Sequence, residues 1–245
     1  MLLHLCTWQE VEQRLRDSCG IIIPIGSTEQ HGPNGLIGTD AICPEVVARG
    51  VGEKLDALVG PTLPIGNAQH HLGFPGSVTL RPSTLLAVVR DVVQSLAYHG
   101  FSKIYLLNGH GGNIATISAA FSESYADITL RGGQTYHCKL RNWWDGDRVK
   151  QLSIRLYGDK EGSHATCSEV SLTQYAYPDA IKRATFNGQA PKSSGIFDAK
   201  DFRERYPDGR MGSDPSLSTP EHGEQLFQAA VEDTAADYLR FLEAK

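Results

Sequence analysis

The sequence predicts a layered α/β/α fold around a mostly parallel sheet, and three observations carry that prediction. The run Ile21-Ile22-Ile23-Pro24-Ile25 is apolar at every position, so a strand built from it needs cover on both faces. Short β-branched runs alternate with amphipathic stretches along the chain, as repeated βαβ units require. Each run ends in a loop rich in Gly, His and Asn, and open parallel sheets bind ligands beyond the carboxyl ends of their strands.

Thr7-Trp8-Gln9-Glu10 is a capping box opening a first helix, with a stop near Cys19-Gly20. Ile21 to Ile25 follows as the first strand. Thr39 or Asp40 can cap a second helix running to about Leu55, with Pro44 tolerated in its first turn. Leu58 to Ile65 reads as a second strand. Ser83 to Tyr98 places Leu85, Val88, Val89, Val92 and Leu96 on one helical face and stops at Gly100. Lys103 to Leu107 is a third strand, followed by Asn108-Gly109-His110-Gly111-Gly112-Asn113 and another helix. Thr135 to Leu140 makes a fourth strand, Cys167 to Tyr177 a helix, and Pro220 to Leu242 a long terminal helix. The segment from Asn187 to Thr219 is polar and turn-rich without a period, and so long an excursion usually serves a site or a subunit contact. Neither a repeat nor a linker divides the sequence, so residues 1–245 are expected to form one domain.

A chain of 245 residues, 40% hydrophobic and 21% charged, can bury a sizeable core and is neither disordered nor fibrous in composition. The formal charge of −5, with no basic block, excludes a nucleic-acid footprint. The longest apolar run falls far short of the roughly 20 residues of a membrane span, and the first residues lack a positive stretch before an apolar block. The expected partner is therefore a small-molecule substrate, with neither nucleic acid nor membrane. Cys6, Cys19, Cys43, Cys138 and Cys167 are odd in number and show no C-x-x-C spacing, which points to reduced thiols in a cytoplasmic protein.

The residues that could carry chemistry gather at the predicted strand ends. Gly26-Ser27-Thr28-Glu29-Gln30-His31-Gly32 follows the first strand, with Asp40 nine residues after His31. Asn67-Ala68-Gln69-His70-His71 follows the second, and Asn108 to Asn113 the third. Ser163-His164-Ala165-Thr166-Cys167-Ser168-Glu169 precedes a helix. Glu29 and His31, two apart, point the same way in an extended segment. A Glu, an Asp and two histidines, Glu29, Asp40, His31 and His110, supply the mixed oxygen and nitrogen ligands that suit Zn²⁺, Mn²⁺ or Fe²⁺. The competing reading is a set of helix caps and solvated turns. Gly109 to Asn113 could instead cradle a phosphate on successive backbone N–H groups, which would make the chain a non-catalytic binding protein. His164 and Cys167, three apart at a helix start, read as neighbours on one face. Trp143-Trp144 is either packing or a substrate wall.

Taken in order, Ser27-Thr28-Glu29-Gln30-His31-Gly32-Pro33, Gly38-Thr39-Asp40, Phe74-Pro75-Gly76 and Asn108-Gly109-His110-Gly111-Gly112-Asn113 resemble the creatininase (creatinine amidohydrolase) family. The resemblance implies a creatininase-like layered fold, a divalent-metal centre of about two ions (Zn, Mn or Fe), and often a homohexamer built from dimers. It implies hydrolysis of a non-peptide C–N bond in a small cyclic amide or formamide. Glu29, His31, Asp40 and His110 fall on the metal-ligand positions, with Asp40 bridging, and Glu169 matches an acidic ligand position in the motif H-A-G-E-x-E-T-S. His164 matches the histidine that donates a proton near the substrate, and His71, Asn108, Gly111 and Trp144 are taken as substrate-binding positions. The chain departs from the family pattern at Asn34, Gly112, Thr166-Cys167 and Val170. Gly112 stands where creatinine-hydrolysing members tend to carry Glu, so the resemblance reaches the chemistry further than the substrate.

A bound divalent ion lowers the pKa of its water from 15.7 to roughly 7, which supplies hydroxide near neutral pH. A histidine such as His164 then protonates the leaving nitrogen.

Overall fold

The apolar run that opens the prediction is the central strand, β1, at Gly20–Ile25, and every residue in it is buried. The computed structural model describes residues 1–186 and 188–244. β2 (Leu58–Val59) and β3 (Lys103–Asn108) flank β1, and β4 (His137–Asn142) lies outside β3. The order is β2-β1-β3-β4, with all pairs parallel. Ile21, Ile23 and Ile25 face α3 (Pro82–Tyr98) and α4 (Ile114–Arg131), sharing a core with Leu85, Val89, Val93 and Ile117. Ile22 faces the other way, toward α2 (Thr39–Leu55), α5 (Asp147–Tyr157) and α8 (Pro220–Glu243), with Val47, Val149 and Leu226. Two helical layers thus cover one parallel sheet, as strands apolar on both faces demand.

The first helix, α1 (Trp8–Asp17), opens on the expected capping box from Thr7. The second strand is shorter than Leu58 to Ile65. Only Leu58 and Val59 enter the ladder, and contact with β1 returns at a single bridge between Ile25 and Leu63. Prolines explain this, because Pro61 and Pro64 have no N–H to give. Pro24 is tolerated in the central strand for a related reason. Its carbonyl accepts from Leu63 at 2.9 Å, so its missing N–H faces the side where the β2 ladder has already ended. β4 begins at His137 rather than Thr135 and runs to Asn142.

Two elements escape a sequence reading. The N–H groups of Arg148 and Val149 in α5 are capped by Asp233 Oδ2 of α8, at 2.9 and 3.3 Å, so no local residue announces that helix. The expected excursion begins at Asn187, which lies outside the described residues; its remainder contains α7 (Ala199–Arg205), capped by Asp198. Phe202 of α7 is fully buried against Phe74, Tyr206 and Met211. The sixth helix, α6 (Cys167–Ala176), carries a capping box from Thr166 to Glu169. Among the described residues, no helix is long and apolar enough to cross a membrane.

Candidate metal centre

Three strand ends meet beyond the carboxyl edge of the sheet. Asn113 ties them together: its amide nitrogen donates to the Gly26 carbonyl at 2.9 Å, and its oxygen accepts the Asn67 N–H at 3.0 Å. Asn108 holds the His110 loop, donating to the His110 carbonyl at 2.6 Å and accepting the His110 N–H at 3.2 Å. These commitments weigh against the phosphate-cradle reading. Gly109 donates to Ile25 at 2.8 Å and Asn113 to His110 at 3.2 Å, so three of the five N–H groups from 109 to 113 are already used inside the protein.

Asp40 does not cap α2. Gly38 holds the cap position, and Pro44 is the sixth helical residue rather than part of the first turn. The proline ring leaves the Asp40 carbonyl without its helical partner, and Gly26 and Gly109 lie so close to that carbonyl that a Cβ on either would collide with it. The close approach carries the start of α2 onto the ends of β1 and β3, and the Asp40 carboxylate with it.

Around that carboxylate the ligand atoms fall into overlapping sets, each within 4.8 Å: Glu29, Asp40 and His110; His31, Asp40 and Glu169; Glu29, His31 and His164. Asp40 Oδ1 lies 2.9 Å from His31 Nε2 and Oδ2 lies 2.8 Å from His110 Nδ1. Glu169 Oε1 is 3.9 Å from His31 Nε2 while it also takes the Thr166 N–H at 2.5 Å. His164 follows a bridge to Met211 and presents Nδ1 3.8 Å from Glu29 Oε1.

The outer nitrogens of three histidines meet backbone carbonyls: His31 Nδ1 at Glu29 (3.0 Å), His110 Nε2 at Asn67 (2.9 Å) and His164 Nε2 at Gln30 (2.8 Å). A carbonyl only accepts, so His31 Nδ1 and His110 Nε2 carry protons, whereas His164 Nε2 also lies 2.8 Å from the Gln30 amide nitrogen. That anchoring is how metal-binding imidazoles are held, with the inner nitrogen turned to the ion.

Charge is concentrated here. Burial alone would push His31 down, but Asp40, with Glu169 and Glu29, outweighs it and lifts the ring to about 10. His110 rises to about 9 against burial because Glu29 and Asp40 face it. Burial would raise Asp40, yet His31 and His110 hold it far below the carboxylate range. Burial lifts Glu169 to about 7 and raises Glu29 as well. Burial and the neighbouring histidines lower His71 to about 3 and hold His164 well below its ordinary value. Both Glu29 oxygens and Asp40 Oδ2 are buried with no hydrogen-bond donor in line with them. Buried carboxylates left in that state call for cations, and the donor set fits divalent metal ions.

A cavity of about 470 Å³ opens beside Asp40, His110, His164 and Glu169. Gly111 and Trp144 line it, together with Lys150 and Ile154 of α5 and with Glu161. Trp143 also borders it but is only 1% exposed and serves the core. Asn108 is fully buried beneath the His110 loop, where it positions the backbone. His71 is likewise buried, its Nε2 3.0 Å from Glu29 Oε1 and its ring edge on Phe202 at 4.7 Å. Sequence reasoning missed Gln30 and Phe202, which touch the histidines. Gln30 could have been found by its place inside the Glu29-to-His31 segment; Phe202, in a stretch without periodicity, gave no signal.

The family described as creatinine amidohydrolase matches residues 4–238. The creatinine amidohydrolase of Pseudomonas putida is 28% identical over 240 residues, covering 94% of this chain and 92% of that protein. A mycofactocin precursor peptide peptidase of Mycolicibacterium smegmatis is 37% identical over 231 residues, covering 88% and 82%. The solved structure of a manganese creatininase superposes with a TM-score of 0.86 at 26% identity, covering 99% of both chains. A zinc–zinc form of a mutant creatininase gives 0.83 at 26% identity, covering 99% and 98%. Matched in sequence and in fold along nearly its whole length, this chain belongs to the creatininase family of metal-dependent hydrolases.

Proposed function

We propose that the chain hydrolyses the C–N bond of a small cyclic amide or formamide at two divalent ions, Zn, Mn or Fe, held by Glu29, His31, Asp40, His110 and Glu169. The observation that carries this reading is the division of Asp40 between two ligand sets, one with Glu29 and His110, the other with His31 and Glu169. A divalent ion in such a site lends acidity to water and polarises an amide oxygen. Burial holds His164 well below its ordinary pKa and its Nδ1 faces inward, 3.8 Å from Glu29 Oε1, a placement from which it can take a proton from water and then pass it to the leaving nitrogen. Trp144 and Gly111 form the substrate wall, and Asn108 and His71 support the centre from beneath. The same reading takes the enzyme as a one-domain cytoplasmic homo-oligomer; five unpaired cysteines support the reducing compartment.

Creatinine itself is not the favoured substrate. A Cβ at Gly112 would collide with the His110 ring, so a glutamate there needs a different loop. A second reading, cleavage of an amide within a short peptide, is favoured by the cavity's size and by the 37% identity to a peptide-cleaving relative. Chelated protein reloaded with each metal would be assayed on cyclic amides, formamides, creatinine and short peptides. Activity on a cyclic amide or formamide that vanishes on chelation and returns with metal is the expected result. Turnover confined to peptides favours the second reading, and turnover that survives complete metal removal overturns both.

A further inference from the structure

Gln30 lies between Glu29 and His31 and is 8% exposed. Two backbone groups fix the orientation of its side-chain amide. Oε1 accepts the Gly32 N–H at 2.8 Å, and Nε2 donates to the Gly209 carbonyl at 3.1 Å. A backbone N–H only donates and a carbonyl only accepts, so the oxygen and nitrogen of this amide cannot be exchanged. Nε2 therefore has no lone pair for His71 Nδ1, 3.0 Å away, and that ring nitrogen is the acceptor. The His71 proton sits on the other nitrogen, which faces Glu29 Oε1 at 3.0 Å.

The amide nitrogen has two hydrogens and three neighbours, the Gly209 carbonyl, His71 Nδ1 and His164 Nε2, and in none of these contacts can it accept. His71 Nδ1, facing the amide donor, is thus unlike the outer nitrogens of His31 and His110, which meet carbonyls, while His164 Nε2 meets both the Gln30 carbonyl and the amide nitrogen.

We infer that Gln30 is a positioning residue that locks His71 as an Nε2–H donor toward Glu29 and so keeps it from serving as a metal ligand. The inference rests on Glu29 as a ligand of the proposed centre. His71 approaches Glu29 obliquely: its Nε2 is 3.0 Å from Oε1, yet no donor lies in line with that oxygen. Gly209, at φ +84°, completes the arrangement, since a Cβ there would collide with Gln30 Oε1. Through this glycine the chain beyond α7 reaches the centre without contributing a ligand.

The test is nitrogen-15 NMR of histidine-labelled protein, with and without zinc, on wild type, Gln30→Glu and Gln30→Met. Gln30→Glu keeps the length and the acceptor for Gly32 but replaces the donor facing His71. Wild-type His71 should show a bare Nδ1 and a protonated Nε2. In Gln30→Glu the proton should appear on Nδ1, which withdraws the Nε2–H from Glu29, with kcat falling roughly 10–100-fold, the usual effect of losing a partner beside a ligand, and KM within about twofold. Gln30→Met, which can neither donate nor accept, should lose turnover similarly; a role in filling space alone predicts wild-type kcat in both. A protonated Nδ1 in the wild type overturns the inference, whether or not the variants fold. So does a Gln30→Glu protein with wild-type tautomer and turnover. Failure of the wild type to take up zinc would count against the metal reading alone, because the tautomer is also read on metal-free protein.

Discussion

Asp40 sits in the first turn of α2, where an acid ordinarily caps a helix, yet Gly38 holds the cap and both Asp40 oxygens face histidines. Asn caps about as well as Asp, so Asp40→Asn should be nearly silent if capping were its role. As the shared ligand of two ions, the substituted residue loses its charge and one of two equivalent oxygens. The variant should stay folded and melt near metal-stripped wild type. It should hold at most one ion per chain and turn over at least ~10²-fold more slowly. Metal analysis beside a rate assay checks this, and full metal content with normal rate would reduce Asp40 to a structural residue. His164→Ala separates the other pair of roles. If His164 moves a proton, the variant keeps its metal while kcat drops about 10²–10⁴-fold. Loss of metal instead would make His164 a ligand, a role its 3.8 Å distance from Glu29 also permits.

The elements that the sequence made legible are those whose signals are local. β1 and residues 104–107 of β3 are apolar runs, α6 carries its own capping box, and α3 stops at Gly100, though it buries Val93 and Ala97 beside Leu85 and Val89 where the expected face held Val88 and Val92. The elements it hid depend on distant partners. α5 is capped by Asp233 from α8, a partner 85 residues from Arg148. Asp237 of α8 shows the same dependence. It receives Lys139 at 2.9 Å, the Tyr105 hydroxyl at 2.8 Å and Arg141 at 3.5 Å, joining α8 to β3 and β4. Burial would raise its carboxyl, but Lys139, Tyr105 and Arg141 outweigh that and hold it below its ordinary value. A depressed folded-state pKa contributes stability that is present above the unfolded value of about 3.9 and lost as pH falls below it. Asp237→Ala should therefore destabilise by roughly 1–2 kcal/mol at neutral pH, between a surface pair and a buried one because Lys139 is about a third exposed. Denaturant unfolding at pH 7 and below pH 4 should show the gap between variant and wild type closing in acid. An unchanged gap would mean that packing, not charge, sets the cost.

At the scale of the whole molecule, the order of strands brings residues 29, 40 and 110 to one rim, and that convergence follows from placing polar clusters after parallel strands. What the sequence concealed is the support beneath it. Gln30, Asn113 and Phe202 act through contacts that only the folded chain creates: an amide shared among loops, a staple between strand ends, and an aromatic edge on His71. The claim on which the account stands is that this convergence is a metal centre. Protein purified without chelators and analysed for bound Zn, Mn and Fe tests it most directly. About two divalent ions per chain are expected, or two taken up on titration after stripping. A protein found metal-free that takes up none of the three would contradict it.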